Sequence, residues 1–109
     1  MSEQLTETPV LDLLASMTAD SMEASSLDPE TLMLTRIAAL VAVDAPPASY
    51  LFNLGAAREI GIDEEQVRGV LTAVAPIVGT ARVASATGNI ARALSFAIEV
   101  AEIEEETAE

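Results

Sequence analysis

The chain has 109 residues, half of them apolar, with eighteen acidic and five basic residues and a formal net charge of −13. This length predicts one domain over residues 1–109. The acidic excess argues against direct binding to nucleic acid, whose phosphates attract basic surfaces. Cysteine and histidine are both absent. Their absence excludes disulfides, zinc–thiolate sites, iron–sulfur clusters and Cys–His or Ser–His catalysis, so we expect neither a metal site nor a cofactor.

A mean hydropathy of +0.37 is high for so charged a chain. We therefore expect apolar surface to be buried between the subunits of a homo-oligomer, while the acids keep the assembly in solution. The acidic N-terminus lacks the basic start and apolar stretch of a signal peptide. The longest apolar run, residues 37–43, is too short to cross a bilayer. These features predict a cytoplasmic protein that does not bind membranes.

The first of five predicted helices begins near Thr8 and Pro9, because threonine can cap a helix and proline suits its first position. It ends at Ser25 and Ser26. Its apolar side is marked by Leu11, Leu14, Met17 and Met22.

The second helix begins at Asp28, where a capping carboxylate precedes Pro29 and an acid follows at the positive end of the helix. Its body, residues 31–43, is apolar almost all round and should be buried on most sides. Arg36 lies inside this run. We expect it either to have a carboxylate partner or to reach outward at the edge.

Pro46 and Pro47 start the third helix, since two consecutive prolines fit only a first turn. Gly61 follows its end as a left-handed cap. The fourth helix opens at Asp63 with Gln66 three residues later, close to a capping box.

The fifth helix, about residues 81–104, carries two apolar stripes, and a helix with two buried faces in so short a chain indicates oligomerisation. One stripe consists of Val83, Thr87, Ile90, Leu94 and Ile98, and the other of Ala86, Ala93, Phe96, Val100 and Ile103. Residues 104–109 form an acidic tail. Glu102 and Glu105 are one turn apart, but a solvated acidic surface explains them better than a metal site.

Four segments in this order and spacing resemble the carboxymuconolactone decarboxylase and alkylhydroperoxidase D family. They are residues 26–31 (SLDPET), 36–40 (RIAAL), 55–61 (GAAREIG) and 63–71 (DEEQVRGVL). The resemblance covers about residues 27–94, which we take as the core of the domain. It implies an all-α, five-helix fold that assembles as trimers or hexamers, in agreement with the two-faced final helix.

Peroxidase members of the family carry a Cys-x-x-Cys pair near the start of the third helix, a histidine four residues later and a glutamate on the preceding helix. Counting back from Gly61, the first three positions fall on Pro46, Ser49 and Asn53. The glutamate position falls near Met33 or Leu34. All four groups are replaced, so the resemblance implies the fold and the assembly but not thiol peroxidase activity.

The decarboxylase branch lacks the cysteine pair, so a lyase stays open. Such chemistry needs a cation for substrate carboxylates and a proton donor for the developing enolate. The candidate cations are Arg36, Arg58 and Arg82, and the candidate donors are Tyr50 and Glu59. The arginines and the tyrosine also have a simpler structural interpretation. The arginines would pair with buried acids, and the tyrosine would belong to the core or to an interface. Asn53 and Ser49 are read as a residual polar contact and a first-turn residue.

Three functions therefore remain. The first is a non-redox binding or assembly module with a small cavity near Arg36, Ser49, Tyr50 and Asn53. The second is a cofactor-free lyase acting on a small carboxylated lactone. The third is a subunit of a larger complex. The predicted partners are further copies of the chain and either a small carboxylate or another protein.

Overall fold

A computed structural model describes the backbone of residues 8–108 and the side chains of residues 8–95. It has five α-helices: α1 (Pro9–Ala24), α2 (Pro29–Ala42), α3 (Pro47–Glu59), α4 (Glu64–Val78) and α5 (Thr80–Ala108). No strand occurs in residues 8–108. The predicted all-α, five-helix fold is confirmed.

The starts of α2 and α4 follow from their capping residues. An Asp28 carboxylate oxygen accepts from the Thr31 amide at 2.8 Å, and Pro29 is the first helical residue. The hydrogen bond from the Thr31 amide is the largest cause that lowers the pKa of the Asp28 carboxyl below its usual value. At α4, Asp63 accepts from the Gln66 amide at 2.9 Å while the Gln66 side chain accepts from the Asp63 amide at 3.0 Å. Both halves of the capping box are present.

The end of α3 is a Schellman motif. The Gly61 amide donates to the Arg58 carbonyl and the Ile62 amide to the Ala57 carbonyl, both at 3.0 Å. Gly61 has a φ of +93°, which confirms the predicted left-handed cap. Because Ala57 and Ile62 are both buried, this turn also anchors the end of α3 in the core.

The core forms around α2, which packs against α3, α4 and α5, while α3 and α4 each also pack against α5. Ile37 and Val41 of α2 and Tyr50 of α3 are completely buried. The remaining buried core residues are Leu32, Met33, Ala45, Leu54, Ala57, Ile62, Ala86, Ile90 and Ala93. Burial on most sides was predicted for residues 31–43, and it holds for most of the large apolar side chains, because Leu34 and Leu40 also pack against this core. One face of the segment is exposed instead: Thr31, Thr35, Ala39, Ala42 and Val43.

Helix α1 differs from the other four. It begins and ends where predicted, but every residue from Pro9 to Ala24 is exposed, including the side chains expected to mark its apolar side. It has no packed helix partner within the described residues. The radius of gyration of 15.8 Å exceeds the value of about 13 Å for a compact chain of this size, as expected when a helix stands apart from the core.

Helix α5 continues to Ala108 rather than ending near residue 104. In the described part, both stripes contribute to the core. Ala86 and Ala93 of one stripe and Ile90 of the other are buried. On the stripe of Ile90, Val83 and Leu94 are half-buried and Thr87 is exposed. The side chains at Phe96, Ile98, Val100, Ile103, Glu102 and Glu105 and those of the acidic tail lie outside the described residues. None of the described helices is long and apolar enough to cross a membrane.

Candidate functional site

The start of α3 holds Pro46, Ser49 and Asn53, the three positions that the resemblance predicts for the redox motif. Pro46 is the N-terminal cap residue, and its carbonyl accepts from the Ser49 amide at 3.1 Å. The Asn53 amide nitrogen donates to the Ser49 carbonyl at 2.8 Å. These groups therefore hold the start of the helix together. The side-chain donor of Asn53, which is half-buried, is used on the helix backbone four residues earlier.

The turn that precedes α3 is built around Asp44. Its φ of +56° is the left-handed conformation, which is costly for residues other than glycine and least so for Asp and Asn. Its amide donates to the Val41 carbonyl and the Ala45 amide to the Leu40 carbonyl, the pattern found at the end of α3. The Asp44 carboxylate accepts from the Ser85 hydroxyl at 2.6 Å. This contact ties the turn to α5.

A polar stripe along α5 fixes the same turn. Arg82 donates to the Ala42 carbonyl at 2.8 Å, and Asn89 donates to the Ala45 carbonyl at 3.1 Å. Arg92 in turn donates to the Asn89 side-chain oxygen at 3.0 Å. The stripe consists of Arg82, Ser85, Asn89 and Arg92, which recur every three or four residues and so share one face of the helix. Arg82, a candidate anion clamp, is thus engaged with backbone oxygen.

Tyr50 lies beneath this turn. Its side chain is completely buried, and its hydroxyl has no hydrogen-bond partner among the described residues. Burial raises the pKa of this hydroxyl, and the negative charge of Asp44 raises it further. The phenol is therefore held neutral, and leaving it unpaired costs about 1–3 kcal/mol.

Arg36 is half-buried and reaches from α2 to α1, where it donates to the Thr18 carbonyl at 3.2 Å. The sequence predicted a carboxylate partner or an outward position at the edge. The hydrogen bond found is instead to a backbone carbonyl, 18 residues earlier in the chain. The positions nearest the family glutamate hold Met33, which is buried, and Leu34, which packs on the core.

An open apolar groove of about 780 Å³ lies at the other end of α3, between that helix, the start of α4 and the middle of α5. Six large aliphatic side chains line it: Leu54, Ile62, Val67, Leu71, Ile90 and Leu94. We call this surface the α3–α5 groove. Its size is within the range of about 300–1,000 Å³ typical of ligand pockets.

Two arginines line the groove among four exposed charged residues. Arg58 comes from the last turn of α3 and Arg68 from the second turn of α4, and both are exposed. Asp63 and Glu64 belong to the start of α4. Because the Asp63 carboxylate accepts from the Gln66 amide, it serves as the helix cap. The groove thus combines apolar walls with two cationic and two acidic residues.

The structure therefore places the candidate residues in two regions. Arg58 lies in the groove, whereas Arg36, Ser49, Tyr50, Asn53 and Arg82 do not line it. Glu59 is exposed next to Arg58 but is not a lining residue. The groove thus lies away from the place beside Arg36 and Tyr50 where a cavity was expected.

Sequence reasoning missed two features. It gave Arg68 no role, although its place ten residues after Arg58 puts both cations on the groove. It also overlooked the polar stripe on α5, whose helical spacing was visible in the sequence as the signal of one polar face. The contact of that face with the turn at Asp44 could not be predicted from the local spacing of residues.

The family model of the carboxymuconolactone decarboxylase family matches residues 8–93. The chain belongs to this family. No curated protein and no solved structure matches it. The family match extends from α1 into α5, so it includes Pro46, Ser49 and Asn53 at the start of α3 and every lining residue of the groove except Leu94. This carboxymuconolactone decarboxylase family member contains no cysteine, and it therefore lacks the Cys-x-x-Cys motif that the resemblance led us to look for.

Proposed function

We propose that this carboxymuconolactone decarboxylase family protein is an oligomeric binding or assembly module without thiol peroxidase chemistry. One observation carries the proposal: at the start of α3, where peroxidase members hold their redox groups, Pro46 is the N-terminal cap residue and the Asn53 side chain donates to the Ser49 carbonyl of the same helix. The Asn53 side chain there has a structural partner. The exposed, unfilled surface lies at the opposite end of the same helix.

The chemistry of the side chains supports this proposal. A peroxidase of this type needs a thiolate to attack the peroxide and a second thiol to form the disulfide. A serine at position 49 provides no redox couple, and its hydroxyl needs an activating base. The chain has no histidine to act as that base. The cytoplasmic location predicted from the acidic sequence belongs to the same proposal.

The proposal is tested by a hydroperoxide assay with a dithiol reductant, run beside a cysteine-containing family peroxidase. We expect the consumption of peroxide to equal that of reductant alone. Native mass spectrometry of the same sample at micromolar concentration should show a multiple of the 11.4 kDa chain. Turnover at the rate of the control peroxidase, or a monomer at this concentration, contradicts the proposal.

A cofactor-free lyase on a small carboxylated lactone is the second candidate. The observation in its favour is that Arg58, named from the sequence as an anion clamp, lines the groove together with Arg68. Such cations stabilise the carboxylates of a substrate and the developing enolate. Tyr50, the candidate proton donor, does not line the groove. Release of carbon dioxide from a carboxylated lactone, abolished by Arg58→Ala in a folded protein, would favour the lyase over the module.

A further inference from the structure

Helix α1 holds most of the exposed large apolar side chains in residues 8–95. Eleven such side chains are exposed there, and six of them lie on this 16-residue helix: Val10, Leu11, Leu13, Leu14, Met17 and Met22. Each of the six is about half exposed or more. A contiguous apolar patch larger than roughly 300–600 Å² is rare on a monomeric protein and marks a surface that binds another molecule. This concentration of apolar surface indicates that α1 is a contact surface.

One face of α1 has the residue spacing with which helices pack on one another. Residues 10, 14, 17, 21 and 24 follow at intervals of four, three, four and three, and all five are exposed: Val10, Leu14, Met17, Ser21 and Ala24. Alternating steps of three and four place side chains in a line along a helix, so that they fit between those of a second helix. We call these five residues the α1 stripe. Their spacing favours another helix as the partner.

The charged residues of α1 leave this stripe free. At about 3.6 residues per turn, Asp12 and Glu23 lie on the face opposite Leu14 and Met17, and Asp20 lies at the edge of the stripe. Two copies of a chain with net charge −13 repel each other. The uncharged stripe allows two copies to meet without bringing carboxylates together. The acidic face of the same helix disfavours an anionic membrane, because anionic lipids attract basic helices.

The sizes of the side chains indicate the direction of pairing. The larger ones, Val10, Leu14 and Met17, lie towards the start of α1, and the small ones, Ser21 and Ala24, lie towards its end. An antiparallel pair places large side chains opposite small ones and fills the contact evenly. A parallel pair places the small ends opposite each other and leaves a gap, which loses packing contacts. The stripe therefore favours an antiparallel partner with the same taper.

We propose that α1 of one copy pairs antiparallel with α1 of a second copy, about a two-fold axis at Met17. The inference rests on the proposed oligomeric function and names a surface that joins the copies. In this register Val10 of each copy lies opposite Ala24 of the other. The two Asp20 side chains lie about 9 Å apart along the helices, whereas a parallel pair sets them level. Because a two-fold contact joins chains in pairs, it selects the hexamer from the trimers or hexamers that the resemblance implies.

Site-directed cross-linking tests this register, because the natural chain has no cysteine. Met17→Cys treated with a short bis-maleimide should give a cross-linked dimer, since residue 17 meets its own copy at the axis. Val10→Cys and a mass-tagged Ala24→Cys should give little dimer separately, because the two copies of either residue are about 21 Å apart along the helices. After mixing and subunit exchange, these two variants should give a dimer with one chain of each kind.

Ala19→Cys is the matched control on the same helix. Ala19 is exposed, as Met17 is, but lies on the opposite face of α1, so this variant should give little dimer. Equal yields from Met17→Cys and Ala19→Cys overturn the proposal. Cross-linking of Val10→Cys to itself, without a mixed product from Val10→Cys and Ala24→Cys, would assign a parallel pair and overturns it too.

Charges placed at the axis test the energetic contribution of the contact. Met17→Glu brings two carboxylates together in each pair and should weaken the association by about 100-fold or more. Ala19→Glu adds the same charge on the opposite face and should leave the association within about three-fold. A mixture of Met17→Glu and Met17→Arg should associate again, because each pair then has one charge of each sign. Far-ultraviolet circular dichroism checks that each variant keeps its helices.

Native mass spectrometry separates this inference from the proposed function. A wild-type chain that stays monomeric at micromolar concentration contradicts both. A wild-type trimer contradicts only the pairing of α1, since an odd number of chains leaves one helix without a partner. A hexamer that Met17→Glu leaves intact also contradicts only the pairing. We expect Met17→Glu to split the assembly into halves that Ala19→Glu keeps joined.

Discussion

The two ends of α3 differ in their surroundings: polar groups are hydrogen-bonded at its start, and an open apolar groove lies at its end. Before its start, Asp44 and the polar stripe on α5 form hydrogen bonds with each other and with the backbone. Tyr50, in the first turn, is completely buried. At its end, buried and half-buried aliphatic side chains line an open groove together with exposed charged residues, two of them arginines. The difference shows that the polar groups before and beside the start of α3 mainly connect it to α5, whereas an open groove lies at the other end of the same helix.

The largest expected effect is a loss of stability at the groove end of α3, where Leu54 belongs to both the core and the groove lining. This side chain is 6% exposed, and Leu54→Ala should lower the free energy of unfolding by about 2–5 kcal/mol because it leaves a cavity. The control is Phe52→Ala in the same helix. Phe52 is 75% exposed, so its loss should change stability by less than about 0.5 kcal/mol in the dissociated chain. Urea denaturation measures both, and equal losses would mean that the two side chains are not buried as described.

The turn before α3 should lose much of its stability in the variant Asp44→Ala. The change removes the acceptor for Ser85 and places a side chain poorly suited to positive φ in the turn, so we expect a loss of about 1–3 kcal/mol. Asp44→Gly loses the same hydrogen bond but accepts the backbone conformation and should cost less. Asp44→Asn keeps an acceptor and tolerates positive φ, so it should cost least. If the three variants do not fall in this order in thermal unfolding, the turn is not held as the structure indicates.

Tyr50→Phe separates a structural tyrosine from a reactive one. The change removes a buried hydroxyl without a partner, so stability at pH 7 should stay equal or rise by up to about 1 kcal/mol. In the lyase alternative, the same variant would lose its proton donor and its turnover. A clear loss of stability at pH 7 would mean that the hydroxyl has a partner in the folded protein.

The alkaline range gives the same residue a second test. The chain has one tyrosine and no cysteine or lysine, so no other side chain titrates between about pH 9 and pH 12. The pKa of Tyr50 is raised in the folded state above its ordinary value of 10.0. As the pH passes this ordinary value, the unfolded chain releases the proton first, and the free energy of unfolding falls until the pH exceeds the native pKa. Tyr50→Phe should abolish this fall, as followed by urea denaturation at each pH.

Among the variants expected to lose stability, apart from the control Phe52→Ala, the smallest loss is expected at Arg36. Arg36→Leu removes the hydrogen bond to the Thr18 carbonyl, so we expect a loss of about 0.5–1.5 kcal/mol, with a larger increase in amide hydrogen exchange in α1 than in α2. Arg36→Lys, which keeps a donor, should recover part of it. Unchanged folding together with abolished turnover of a carboxylated substrate would instead assign Arg36 to a catalytic site.

Most of the fold could be predicted because its boundaries depend on local chemistry. Asp28 with Pro29, Asp63 with Gln66, and Gly61 mark starts and ends through contacts that lie within a few residues. The partner of Arg36 and the link between Asp44 and Ser85 could not be predicted in this way. They join residues 18 and 41 positions apart, and only the packing of helices decides which side chains meet.

The sequence by itself determined five helices, their capping residues and the absence of thiol and imidazole chemistry, because capping and side-chain composition are local properties. It also placed apolar residues on α1 and on two faces of α5. Only the tertiary structure decided that the α1 stripe stays uncovered and that one α5 face lines a groove. The reason is physical: an apolar stripe states that a surface must be buried, whereas the arrangement of all the helices decides which surface is near enough to bury it.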